Sequence, residues 1–168
     1  MSEDLVYDGK FVKIREQKIK NNVWEKIYLH GGIVVYPFNS NGNLLLVKEL
    51  RPHEKPQLRI KPVTGIFEDQ YSIFENANRE MQEEIGYSAD KFEIVFETKS
   101  SGTINNFQYF VKATNLKTSK LPNPDGEETI QEILEMPFDL IIEKLISGEI
   151  PYRNSYLGLM YMALKAKY

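Results

Sequence analysis

Residues 79–86 read Arg-Glu-Met-Gln-Glu-Glu-Ile-Gly, and this stretch carries three carboxylates at Glu80, Glu83 and Glu84. At about 100° per residue, the three side chains fall within a wedge of roughly 100° on one helix face. Like charges so close weaken a helix, unless a bound cation compensates them. Oxygen-rich sites suit magnesium or manganese, which share their remaining positions with water and substrate phosphates. The stretch therefore indicates metal-assisted chemistry on a phosphate, and a merely solvated helix face is the alternative.

The residues around this stretch predict where its helix begins and ends. Ser72 and Glu75 have the spacing of a capping box, and Gly86 suits a helix stop. An apolar stripe beside the carboxylates is formed by Phe74, Ala77, Met81 and Ile85. Because one flank of the helix then packs while the other meets a cleft, we expect the glutamates at the margin of the core. Upstream, Gly65 permits close approach of the backbone to a ligand or to another segment.

The segment from Gly65 to Tyr87 resembles the Nudix box, a motif that ends in Arg-Glu-aliphatic-any-Glu-Glu-any-Gly-aliphatic. The positions that match in register are Gly65, Arg79, Glu80, Met81, Glu83, Glu84 and Gly86. Tyr87 replaces the final aliphatic residue, and Tyr71 stands where the family has a glutamate that braces the box arginine. The resemblance therefore implies an intact metal shell and an altered support for Arg79.

The resemblance implies hydrolysis of a nucleoside diphosphate linked to another moiety, with Mg²⁺ as the cofactor and Mn²⁺ as a substitute. By position, Glu80 and Glu84 are the expected principal metal ligands. Glu83 is a further ligand or orients water, and the backbone carbonyl of Thr64 completes the shell. The implied fold is an α/β class domain, an α/β/α sandwich with a mixed β-sheet and N-terminal antiparallel strands.

A broader resemblance extends to the branch of ADP-ribose and nucleotide-sugar pyrophosphatases. The apolar run that ends at Arg51 is similar to that branch's strand with a phosphate-contacting arginine. The acidic loop near the C-terminus resembles the one that carries the catalytic base, with Glu128 favoured and Glu127 second; a solvated turn is the alternative. Lys61 stands where the branch has a glutamate, which leaves other substrates open, such as dinucleoside polyphosphates, capped RNA ends or coenzyme A.

Two aromatic side chains, Trp24 and Tyr28, have the same facing on a predicted N-terminal strand. In the resembled branch such strands cross a homodimer interface and stack on the nucleobase. Packing of both rings against the chain's own core is the alternative, because rings of this size bury a large apolar area.

Composition narrows the class of protein without choosing a function. The 168 residues suit one domain spanning 1–168, with 42% hydrophobic and 27% charged residues. There is no cysteine, which suits a reducing, cytoplasmic location and excludes a thiol nucleophile. The net charge of −3 argues against general capture of nucleic acid. Residues 1–4 do not read as a signal peptide, and no apolar run reaches the length of a membrane span.

A coarse reading predicts short strands early in the chain and helices later. It predicts three hairpins: over 11–29, over 33–49 with a turn at 39–43, and over 92–112. It also predicts a strand at 130–136, a helix at 137–146 and a last helix from a Ser155 cap to 166.

Two hypotheses follow for the whole chain. It is a Nudix pyrophosphohydrolase, or it is a catalytically weakened Nudix domain that acts as a nucleotide-binding sensor or interaction module.

Overall fold

The structure is a computed structural model that describes residues 3–122 and 129–167. Its elements, in chain order, are β1 (Asp4–Asp8), β2 (Val12–Ile19), β3 (Asn22–Leu29), β4 (Gly32–Pro37), β5 (Asn43–Leu50), β6 (Leu58–Lys61), β7 (Val63–Ile66), α1 (Ile73–Glu84), β8 (Tyr87–Ser101), β9 (Ile104–Thr118), β10 (Thr129–Pro137), α2 (Phe138–Ser147), a 3₁₀ turn (Asn154–Tyr156) and α3 (Leu157–Lys165).

The strands form two sheets. The larger has the order β1-β2-β3-β9-β4-β7, and β8 also pairs with β9. Strand β9 runs parallel to β3 and β4, whereas the other pairings are antiparallel. The smaller sheet has the order β10-β5-β6 and is antiparallel. The predicted mixed sheet with N-terminal antiparallel strands is thus confirmed.

Helices cover both faces of the central strands. On β4, Ile33 and Val35 face a buried cluster that includes Ala77 of α1. Val34 and Tyr36 alternate with them and face a second cluster, to which α2 and α3 contribute Ile141, Leu145 and Leu159. Successive side chains of a strand point to opposite faces, so a continuous apolar run is needed where both faces are covered. The predicted α/β/α arrangement is confirmed.

The predicted hairpin between residues 33–37 and 43–49 is wrong. Only an isolated bridge joins Phe38 to Leu44, while β4 pairs with β7 and β9, and β5 pairs with β10 and β6. Asn39 tightens the turn by accepting the backbone N–H groups of Asn41 and Asn43, each at 3.0 Å. Because both strands are apolar on two faces, each is placed centrally in a different sheet, and the turn carries the chain from one sheet to the other.

The C-terminal helices begin differently from each other. Helix α2 follows Pro137 as expected. The predicted Ser155 cap is wrong, because Ser155 lies in the 3₁₀ turn and its carbonyl accepts the Tyr36 hydroxyl at 2.7 Å. Helix α3 then starts at Leu157 without a side-chain cap. Within the described ranges, no helix is long and apolar enough to cross a membrane.

Candidate active site

Helix α1 carries the acidic stretch; local hydrogen bonds define where it begins, and a glycine defines where it ends. The Ser72 hydroxyl accepts the Glu75 N–H at 3.3 Å, and the Glu75 carboxylate accepts the Ser72 N–H at 2.8 Å. These bonds to Ser72 hold the pKa of Glu75 below its ordinary value. At the other end, Gly86 adopts a left-handed φ of 72°, a conformation that favours glycine. The predicted capping box and glycine stop are confirmed.

The carboxylate of Glu80 lies directly against the backbone of β7. A Cβ atom added to Gly65 would fall 1.9 Å from Cδ of Glu80, far closer than atoms can approach. Gly65 is paired with Ile33 of β4, so its backbone is held in the sheet. Glycine at this position therefore makes the room that the Glu80 side chain occupies.

Glu84 is held at the end of α1 by a buried lysine and by the backbone of β7. The Lys61 ammonium donates to Oε1 of Glu84 at 2.5 Å and to the Thr64 hydroxyl at 2.9 Å. The Thr64 N–H donates to the other oxygen, Oε2, at 3.3 Å. Both charged side chains are almost fully buried, at 3% and 2% exposure for the lysine and the glutamate. The end of the helix is thereby tied to the strand beside Gly65.

Lys61 also links this end of the helix to a buried carboxylate on β5. Its Nζ lies 3.9 Å from Glu49, which is wholly buried and also accepts from Arg51 at 2.9 Å and from Arg59. Burial alone would raise the pKa of Glu49, but Lys61, Arg59 and Arg51 together hold it below its ordinary value. A continuous series of ion pairs thus runs from Arg51 to Glu84.

Arg79 is held by two carboxylates and an aromatic ring. Its guanidinium donates to Glu68 at 2.8 Å and to Glu83 at 3.3 Å, and it lies 4.4 Å from the centre of the Tyr71 ring. The hydrogen bond to Glu68 is the main cause that raises the pKa of Arg79. Stacking on an aromatic face adds a further attraction for the cation.

These groups fit a hard divalent ion. The glutamates of α1 and the Thr64 carbonyl are oxygen donors of the kind that Mg²⁺ and Mn²⁺ prefer. The glycine at 65 leaves a recess that Glu80 fills, and the ammonium of Lys61 already sits among oxygen atoms beside Glu84. In residues 3–122 and 129–167, however, no three acidic or histidine side chains already surround a common point. Instead, Lys61 and Arg79 neutralise part of the negative charge of the glutamates on α1.

A cavity of about 520 Å³ opens beside the C-terminal end of α1. Glu83 and Glu84 line it on the helix side, and Lys120, Ile130 and Glu132 line it elsewhere. Its volume lies in the range of small-molecule sites in proteins. Two of the three glutamates of the 79–86 stretch therefore border a space large enough for part of a nucleotide.

The family model of the NUDIX domain matches residues 28–155. The chain belongs to the Nudix family. Its membership of this family makes it a Nudix pyrophosphohydrolase. Nudix enzymes generally use divalent metal ions and act on small nucleotide derivatives. The match covers the acidic helix, the preceding Gly65 and the strands that hold them, so the resemblance inferred from residues 65–87 is confirmed.

Among solved structures, the chain is similar to one described as "Crystal structure of ADP compounds hydrolase". The two share 15% sequence identity with a TM-score of 0.82, over 99% of this chain and 92% of that one. At this identity the similarity shows a common fold. A comparison with curated proteins gives no match.

In this Nudix box a carboxylate from outside the motif positions contacts Arg79. Glu68 comes three residues before Tyr71 and supplies the carboxylate that holds Arg79, while the ring that replaces the glutamate packs on the guanidinium. Sequence analysis predicted that the support of Arg79 is altered, but it did not identify Glu68. Glu68 lies outside the motif positions, and only the bend of the loop brings it back to the helix.

Asn76 sets the bend of that loop, and sequence analysis missed it too. It is buried at 2% exposure on α1. Its side-chain oxygen accepts the Glu68 N–H at 3.0 Å, and its amide donates to the carbonyls of Glu68, Tyr71 and Ser72 at 3.0–3.2 Å. The sequence signal for this role was an asparagine next to the apolar stripe. Phe74, which was expected in that stripe, is instead 41% exposed and stacks on Phe92.

Replacement of Glu68 by glutamine should lower kcat about tenfold or more, because Arg79 then loses the carboxylate that orients it and the Glu83 beside it. The measurement is steady-state kinetics at saturating Mg²⁺. The matched control is Asp69→Asn, which removes the same charge from the exposed neighbouring residue and should leave kcat unchanged. Equal rates for the wild type and Glu68→Gln would contradict this role.

Restoring the family residue by Tyr71→Glu should not raise kcat. Arg79 already contacts Glu68 and Glu83, so a third carboxylate adds little orientation, and the stacked ring is lost. A clear gain in kcat in the same assay would show that Glu68 holds Arg79 incompletely.

The other predicted site residues lie in different parts of the Nudix domain. Arg51, 22% exposed, is bound to Glu49 as described above. On β3, Trp24 is 56% exposed, and the half-buried Tyr28 donates its hydroxyl to Glu3 at 2.6 Å. The two candidates for the catalytic base, Glu127 and Glu128, lie outside the described residues.

Proposed function

We propose that the chain hydrolyses the pyrophosphate bond of a nucleoside diphosphate derivative, namely ADP-ribose or a nucleoside diphosphate sugar. The cofactor is Mg²⁺, with Mn²⁺ as a substitute, and the products are a nucleoside monophosphate and a sugar phosphate. The observation that carries the proposal is the series of ion pairs from Arg51 through Glu49 and Lys61 to Glu84. It sets an arginine suited to phosphate beside carboxylates suited to a metal.

In this proposal Glu80, Glu83 and Glu84, with the carbonyl of Thr64, hold the divalent ion. When bound, the ion supplies positive charge for the diphosphate and lowers the pKa of the attacking water. Glu68 and Glu83 contact the guanidinium of Arg79, and Glu84 contacts the ammonium of Lys61. Among these residues three carboxylates face two cations, and this excess of negative charge favours a further cation.

Arg51 binds a phosphate of the substrate, and Arg79 fixes the direction of Glu83. The Arg51 side chain is 22% exposed, and Glu49 accepts a hydrogen bond from its Nε. A guanidinium fixed on one edge meets phosphate oxygens with little loss of side-chain freedom. Glu128, or else Glu127, takes the proton of the attacking water.

We also propose that β1–β3 join a second copy of the chain, and that Trp24 and Tyr28 stack on the nucleobase there. These strands, with the connection between β1 and β2, expose several large apolar side chains, at 47–56% exposure: Leu5, Val6, Tyr7, Phe11, Val23 and Trp24. Exposed apolar patches mark interaction surfaces. Sedimentation velocity of the wild type and of Val23→Lys tests the homodimer, which should be lost in the variant. The cytoplasmic location stays a prediction from composition.

The substrate is tested by incubating the purified protein with Mg²⁺ and a panel of nucleoside diphosphate derivatives, with release of nucleoside monophosphate as the readout. The similar solved structure is described as an ADP compounds hydrolase, which favours adenine derivatives in the panel. Turnover of ADP-ribose or a nucleoside diphosphate sugar above that of dinucleoside polyphosphates, capped RNA and coenzyme A supports the proposal. Tight nucleotide binding without turnover would favour the sensor hypothesis instead.

A further inference from the structure

Lys61 is a buried cation placed among the groups that are expected to hold metal. It is 2% exposed and is the last residue of β6, two residues before β7 begins. Burying an ammonium group is costly unless other groups neutralise and hydrogen-bond it. Lys61 meets both needs through Glu84 at 2.5 Å, the Thr64 hydroxyl at 2.9 Å and Glu49 at 3.9 Å.

The surroundings of this ammonium are those of a cation-binding position. The three side chains just named contact it through oxygen atoms, two of them from carboxylates, and one of these carboxylates is a proposed metal ligand. A hard divalent ion selects the same type of partners. Like Arg79, Lys61 therefore gives the glutamates of α1 a positive charge that does not depend on ions from solution.

Glu84 can serve Lys61 and a divalent ion together. Lys61 donates to Oε1, and the Thr64 N–H donates to Oε2 at the longer distance of 3.3 Å. An ionised carboxylate offers about four lone-pair sites on two oxygens. The lysine and an ion can thus bind different edges of the same carboxylate.

We propose that Lys61 is a resident cation of the metal site, and that its ammonium takes the place of one divalent ion. The inference rests on the proposed function, because it assumes that the α1 carboxylates bind Mg²⁺ or Mn²⁺. It implies that the chain binds fewer divalent ions, or binds one of them more weakly, than the same chain with a neutral or acidic residue at 61.

The test counts Mn²⁺ bound to the metal-free protein by electron paramagnetic resonance of the free ion, with no nucleotide present. Lys61→Glu should bind at least one Mn²⁺ more per chain than the wild type, or bind its weakest ion about tenfold or more tighter. Lys61→Gln should show the same direction with a smaller change. The matched control is Lys13→Gln, which removes an exposed lysine paired with Asp8 at 2.9 Å and should match the wild type.

A second measurement uses the wild type alone, so the test does not depend on the folding of a variant. With ¹⁵N-lysine labelling, a buried and hydrogen-bonded Lys61 ammonium should give a signal protected from exchange with water. At saturating Mg²⁺ the signal should shift but persist, because the lysine stays on Glu84 beside the ion. Loss of the signal would show that the ion displaces Lys61 and would overturn the proposal.

The outcomes separate this inference from the proposed function. Equal Mn²⁺ numbers and affinities in the wild type and both Lys61 variants would overturn the role of Lys61 while leaving the metal site in place. Failure of every variant and of the wild type to bind Mn²⁺ would overturn the metal site itself, and the inference with it.

Discussion

Replacement of Glu80 by glutamine should lower kcat by about 100-fold or more at saturating Mg²⁺, with little change in the midpoint of thermal unfolding. A ligated metal ion contributes several kcal/mol to stabilising the transition state, and each 1.4 kcal/mol changes the rate about tenfold. Glu80 lies against the backbone of Gly65 at the edge of the site, and glutamine has the same shape. The loss should therefore fall on catalysis and on Mg²⁺ affinity, which are measured by kinetics and by calorimetric titration.

The matched control is Glu143→Gln, which removes an exposed carboxylate from α2 and should leave both rate and Mg²⁺ affinity unchanged. Glu84→Gln is a less clear test, because it also breaks the buried pair with Lys61 and is expected to destabilise the fold. If the Glu80→Gln variant had wild-type kinetics, Glu80 would not be a metal ligand.

Replacement of Glu49 by glutamine should lower the free energy of unfolding by about 3–5 kcal/mol, the usual cost of breaking a buried ion pair by removing one partner. Glu49 is wholly buried and is the carboxylate that Arg51, Arg59 and Lys61 share. Urea denaturation at pH 7 measures the change. The matched control is Glu132→Gln on β10, whose exposed carboxylate pairs with Lys48 at 3.4 Å and should contribute little.

The pH dependence gives an independent check on Glu49. Its pKa in the fold lies below the ordinary value of 4.5, so the unfolded chain takes up the proton first as the pH falls. The stabilisation is fully present above the unfolded pKa and is lost as the pH falls through the folded pKa. We expect the unfolding free energy of the wild type to drop more steeply below pH 4.5 than that of Glu49→Gln. Parallel curves for the two proteins would contradict the assignment.

The features that sequence analysis predicted correctly depend on neighbours within about one helical turn. Ser72 and Glu75 satisfy each other's backbone groups, and Gly86 takes the left-handed φ that ends α1. Local geometry fixes such contacts, so the residue types alone were sufficient.

Strand partners needed information that the sequence pattern does not contain. The turn after β4 was recognised, but a turn between two apolar strands does not say whether they pair with each other. Here the long strand β9 takes the place beside β4, and β10 takes the place beside β5. That choice is made by packing of the whole domain, which a local reading cannot evaluate.

The side chains that orient the site were the hardest to predict. Lys61 was noticed as a reversal of charge, but its contact with Glu84 spans 23 residues and depends on how β6 lies beside α1. Glu68 reaches Arg79 only because Asn76 folds the loop. Motif spacing identified the acidic side chains themselves, whereas their partners come from positions that the motif does not specify.

The central claim is that the α1 carboxylates bind divalent ions that in turn bind a diphosphate. Crystals grown with Mn²⁺ and a non-hydrolysable ADP-ribose analogue test it most directly, since manganese is located by its anomalous scattering. We expect Mn²⁺ in contact with Glu80 and a second α1 carboxylate, with the diphosphate of the analogue bound to the same ion. Manganese bound elsewhere, with Glu80, Glu83 and Glu84 facing open solvent away from the analogue, would contradict the claim.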